Sequence, residues 1–68
     1  MQLTVNGKAR ELPRPGSIKD FLEANGVNPV LVAVEHNGEI IKRERYGEVP
    51  LAEGDNLEII HMVGGGDA

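Results

Sequence analysis

The chain opens on a two-residue period. Between Gln2 and Asn6, Leu3 and Val5 alternate with polar neighbours, the pattern of a strand with one buried face. Asn6-Gly7 follows and predicts a tight hairpin, because a type I′ turn needs positive φ at both central residues. Lys8 to Leu12 returns as a second strand, short and charged as suits a sheet edge. Pro13, Pro15 and Gly16 end the pairing. The period then becomes helical. Ser17 is placed to cap a helix, Asp20 stands at capping-box spacing, and Ile18, Phe21 and Leu22 share one face. Gly26 suits a left-handed stop, Val27 is placed to pack back on the last turn, and Pro29 forbids continuation. A helix of about nine residues is too short to stand alone and must lie on a sheet.

The second half returns to strands. Val30 to Glu35 is a β-branched run, Asn37-Gly38 is a second hairpin signal, and Glu39 to Lys42 reads as the return strand. Lys42 to Tyr46 is charged and carries the only tyrosine. Val49-Pro50-Leu51 reads as an extended segment at a sheet margin, and Gly54-Asp55 as a turn. Leu57 to Val63 is apolar at nearly every position, which predicts a central strand. A hairpin, a helix, a hairpin-like pair and a terminal strand make an α+β fold of two layers. The mixed sheet carries one helix across one face, with the first and last strands paired in the middle. That is the β-grasp, or ubiquitin-like, arrangement. It spans 1–63, and 64–68 reads as a flexible glycine-rich tail.

Composition narrows the function. Sixty-eight residues make one domain, and with two aromatics, Phe21 and Tyr46, its core is aliphatic. The absence of cysteine excludes disulfides, thiolate metal sites and cysteine nucleophiles. Seven basic against eleven acidic residues give a net charge of −4, which argues against nucleic acid as partner. No apolar run is long enough to span a membrane, so a soluble, cytoplasmic chain is expected. Ser17, the single serine, is explained by its cap. His36 and His61 stand far apart in sequence, without metal-ligand spacing, and read as ordinary strand histidines. Lys42, Arg43 and Arg45 are interleaved with Glu39, Glu44 and Glu48, which favours a solvated face over a phosphate site.

Gly64, Gly65 and Gly66 are what remains. No helix follows them, so they are not a phosphate loop. A fraying end is one reading. The other is an arm: three extended residues reach about 10 Å and, lacking side chains, thread a narrow channel to present a carboxylate. Ile60 and Met62 lie on one side of the last strand, opposite Leu57, Ile59, His61 and Val63. One side faces the helix. If the other is bare, Ile60 and Met62 form a candidate docking patch for a partner.

Several segments together resemble one family. They are Leu-Thr-Val-Asn-Gly-Lys near the start, Val34 to Ile41, Lys42 to Tyr46, Gly54-Asp55, and Glu58 to Gly66 with its Val-Gly-Gly-Gly ending. The chain resembles the sulfur carrier (ThiS) family of thiamine biosynthesis over nearly its whole length. The resemblance implies a co-substrate rather than an enzyme, with no bound cofactor or metal. A partner adenylyltransferase, related to ubiquitin-activating enzymes, would use ATP and Mg to adenylate the carboxylate of Gly66. A persulfide enzyme would then supply sulfur to form a thiocarboxylate. Thiazole synthase would take that sulfur, with Gly64 and Gly65 as the threading arm. A carrier for molybdopterin or another sulfur metabolite, a ubiquitin-like modifier, and a non-covalent binding module stay open. Asp67-Ala68 departs from the family ending. Trimming by a protease, residues added for expression, and loss of carrier activity all account for it, and the intact glycines favour the first two.

Overall fold

The computed structural model describes residues 1–62. Within them the chain forms β1 (Gln2–Val5), β2 (Lys8–Glu11), α1 (Ile18–Ala24), β3 (Val32–His36), β4 (Glu39–Ile41) and β5 (Asn56–His61). The strands make one sheet in the order β2-β1-β5-β3-β4. β1 and β5 run parallel in the interior and the other pairs are antiparallel. The expected central position of the last strand and the charged edge at β2 are both present.

The turns follow their residues. Asn6 and Gly7 take φ of 51° and 82°, and Asn37 and Gly38 take 51° and 86°, so both hairpins have the positive φ pair that Asn-Gly favours. Ser17 accepts the Asp20 amide at 3.2 Å, and the Asp20 carboxylate accepts the Ser17 amide at 2.9 Å. This closed capping box contributes about 1 kcal/mol. The helix has seven residues rather than about nine. Asn25 already leaves helical geometry at its C-cap, and Gly26 at φ 69° turns the chain away. Val27 does pack back, half-buried against the core.

Three segments differ from the sequence reading. Val30 and Leu31 belong to a 3₁₀ turn, Pro29–Leu31, so β3 starts only at Val32. The Asn28 side chain accepts the Val30 amide at 3.0 Å, and Pro29 presets the turn. The charged stretch after Lys42 is also a 3₁₀ segment, Arg43–Glu48, and it drives Tyr46 into the core at 3% exposure. Its hydroxyl donates to the Val32 carbonyl at 3.4 Å. Val49-Pro50-Leu51 is extended as expected, yet it pairs with the loop before α1 and not with the sheet. The Ile18 amide donates to the Val49 carbonyl, and the Leu51 amide to the Gly16 carbonyl.

The core lies between α1 and one sheet face. Ile18, Phe21 and Leu22 meet Leu3, Val5, Val32, Val34, Ile41, Leu57 and Ile59, with Tyr46, Val49 and Leu51 closing the end. Among the described residues no helix covers the other sheet face.

Candidate functional site

The glycine arm and Val63 lie outside the described residues, as does the boundary between domain and tail. The strand that delivers them is described. β5 runs to His61, and the Met62 amide donates to the Leu31 carbonyl at 2.9 Å, so the chain is still held one residue past the strand. Gly64 is the second residue after that anchor.

β5 is fixed on both flanks by the two Asn-Gly turns. On the β1 side, the amides of Thr4 and Asn6 donate to the carbonyls of Asp55 and Leu57, each at 2.9 Å. The backbone then turns away, and the Asn6 side chain continues the ladder in its place. Its Oδ1 accepts the Ile59 amide at 2.7 Å, and its Nδ2 donates to the Ile59 carbonyl at 3.2 Å. On the β3 side, Asn37 donates its amide to the Asn56 carbonyl and accepts the Asn56 amide on Oδ1, both at 2.8 Å. The sequence identified these asparagines only as turn formers. Their second role depends on long-range pairing that no local pattern encodes.

Asp55 ties off the start of β5. Its carboxylate lies 2.8 Å from His36 Nε2 and accepts the Ala52 amide at 2.9 Å and Asn37 Nδ2 at 3.1 Å. His36 is thus more than an ordinary strand histidine, because the fold gives it a carboxylate nineteen residues away in sequence. Among the described residues no group of three metal-ligating side chains converges. Burial alone would raise the Asp55 carboxyl pKa, but the bonds from His36, Asn37 and Ala52 outweigh it, and the result is lower than the ordinary value. A lowered folded pKa stabilises the fold above the unfolded value, and that stability is lost as pH falls through the folded one. Wild-type stability is expected to fall below about pH 4, and Asp55→Asn should flatten that acid slope in denaturant titrations at stepped pH.

Strand register assigns the two sheet faces. Leu57 and Ile59 are buried under the helix, at 0% and 9% exposure. Ile60 pairs with Ala33 and Glu58 with Glu35, so these four side chains share the open face. Ile40, opposite Glu35 on β4, joins them. Ile60 is 51% exposed, Met62 54% and Ile40 72%. The candidate patch of Ile60 and Met62 is therefore bare and lies at the C-terminal end of β5. Ile40, Glu35 and Glu58 extend it, and only the register brings them in. Glu35 and Glu58 stand directly opposite each other, and neither makes a salt bridge among the described residues. Arg45 pairs with Glu48 at 3.7 Å on an exposed turn, consistent with a solvated face there. No helix among the described residues is long and apolar enough to cross a membrane.

Comparison with known proteins agrees with this geometry. The ThiS family profile matches residues 3–66 and so reaches the last glycine. The sulfur carrier protein ThiS of Bacillus subtilis is 45% identical over 65 residues, covering 94% of this chain and 98% of that protein. A protein named thiazole synthase from Paramagnetospirillum magneticum is 38% identical over 66 residues, which is 97% of this chain but 20% of that protein. The crystal structure of a thiamine biosynthesis protein (ThiS) from Geobacter metallireducens superposes with a TM-score of 0.84 at 35% identity, covering 97% of this chain and 100% of the other. A β-grasp body, an open face beside the strand exit and a match that runs through the three glycines place this chain in the ThiS family, small sulfur carrier proteins of thiamine biosynthesis and not enzymes.

Proposed function

We propose that the chain carries sulfur as a thiocarboxylate on Gly66. A carboxylate is a poor electrophile, so a partner adenylyltransferase first converts it to an acyl-adenylate with ATP and Mg, releasing pyrophosphate. A persulfide sulfur then attacks the acyl carbon and AMP leaves. A thiol then attacks the donor's sulfur in the acyl disulfide, supplies the two electrons by forming a disulfide with the donor, and frees the thiocarboxylate, which thiazole synthase consumes. Gly64 and Gly65 serve as the arm that threads the partners' active sites, and Asp67-Ala68 must be removed before activation. The reaction takes place in the cytoplasm, where ATP is supplied.

One observation carries this reading: the family match extends to Gly66 and stops there. The likeness of nearly the whole chain to one fifth of two thiazole synthases, from Paramagnetospirillum magneticum and Magnetococcus marinus, supports that enzyme as the sulfur acceptor. The open face supplies the docking surface. Ile40, Ile60 and Met62 offer apolar area, and the Glu35–Glu58 pair offers negative charge to an arginine or lysine of the partner. The test is deletion of Gly65 to Ala68 in a reconstituted thiazole-forming system. Product formation is expected to disappear. Unchanged output would mean a binding module without covalent chemistry.

A further inference from the structure

Three Asn-Gly steps occur in the described chain: Asn6-Gly7, Asn25-Gly26 and Asn37-Gly38. At such a step the glycine nitrogen attacks the preceding side-chain amide readily, because glycine carries no side chain to obstruct it. Identical dipeptides in different settings make an internal comparison.

At Asn25 the nucleophile is tied, since the Gly26 amide donates to the Glu23 carbonyl at 3.1 Å. The Asn25 side chain is tied as well, with Nδ2 on the Phe21 carbonyl at 2.9 Å and Oδ1 accepting from Arg10 at 2.8 Å. At Asn6 both side-chain bonds are partly buried and join the two central strands. At Asn37 the bonds to Asp55 and Asn56 are exposed. Its hairpin returns along β4, a three-residue strand at the sheet edge. Local opening concentrates where bonds are exposed and pairing is short. The leaving nitrogen, Asn37 Nδ2, also lies 3.1 Å from Asp55 Oδ1 and 3.5 Å from His36 Nε2, two groups able to carry a proton.

We propose that Asn37 is a deamidation site and that its conversion to a carboxylate loosens the turn from which β5 starts. The Gly38 nitrogen bonds to Asn37 Cγ, the Cγ–Nδ2 bond breaks, and ammonia leaves with the proton that Gly38 gives up. Water then opens the five-membered imide to aspartate or isoaspartate. The net change is one water consumed and one ammonia released, without oxidation or reduction. The product replaces the bond donated by Asn37 Nδ2 with a second carboxylate facing Asp55. Asp55 also holds Ala52 and His36, so like-charge repulsion acts on the whole turn. Among the described residues neither Asn6 nor Asn25 has a carboxylate as a hydrogen-bond partner.

The test incubates the full chain at mildly alkaline pH and locates the gain of about one dalton by peptide fragmentation. Position 37 is expected to convert roughly threefold faster, or more, than positions 6 and 25. In urea the three should converge. Earlier conversion at 6 or 25 in the folded chain would overturn the proposal, as would equal rates at all three. A second arm measures melting temperature. Asn37→Asp should lower it by several degrees. Asp55→Asn in that background should recover part of the loss, because a donor again faces an acceptor. An Asn37→Asp variant that melts with wild type would also overturn the proposal.

Discussion

Leu57→Ala should leave the domain barely folded, whereas Ile60→Ala on the same strand should change its stability little. Leu57 is fully buried between α1 and the sheet, and Ile60 is half-exposed on the open face. Removing a buried leucine side chain costs about 2–5 kcal/mol, the transfer of lost methylenes plus the cavity left behind. A domain of this length has only about 3–10 kcal/mol in total. The described residues form one core, and the sequence has no cysteine for a disulfide, so nothing there absorbs the loss. For Ile60, about half the side chain already meets water in the folded state, so truncation forfeits far less. Urea unfolding monitored by circular dichroism separates the two. Equal losses would mean that the second sheet face is covered and that the docking reading is wrong.

Ile60→Asp combined with Met62→Asp should weaken binding to thiazole synthase by more than about tenfold, with the fold intact. Centrally placed apolar side chains dominate docking energetics, and a carboxylate there must be desolvated without a partner. Glu58→Gln sharpens the test. Like charges directly opposite on neighbouring strands destabilise a sheet by about 0.2–1 kcal/mol. Removing one should therefore stabilise the free chain. It should also weaken binding and reduce its salt dependence, because a cation proposed on the partner would lose its counterpart. Stability rising while affinity falls is a signature that a merely structural glutamate does not give. Calorimetric melting and titration calorimetry on the same samples read both. Binding unchanged in the double aspartate variant would remove Ile60 and Met62 from the interface.

Much of this was legible in the residues because it is local. Asn-Gly specifies a turn through the φ it tolerates, and Ser17 with Asp20 specifies a helix start through two reciprocal bonds. The apolar run of the last strand announced a central position, which it has. What escaped is non-local. Apolar residues on both sides of β5 leave open which side the helix covers and whether the other is bare; pairing with β3 and the exposure of Ile60 decide it. Tyr46 looked like part of a solvated stretch, because 3₁₀ geometry with one buried position in six leaves almost no periodic signal. Val30 and Leu31 looked like strand, and a single Asn28 cap was enough to divert them. The pairing of His36 with Asp55 spans two elements, so no spacing rule could predict it.

On the proposed mechanism the Gly66 carboxyl group is where the chain meets its chemistry. The most direct measurement is the intact mass of a chain ending at Gly66 after incubation with the adenylating enzyme, ATP, Mg, a persulfide donor and excess thiol. A mass gain matching one oxygen replaced by sulfur, confined to the C-terminal peptide, is the predicted result. An unchanged mass under conditions that load the Bacillus subtilis relative would contradict it.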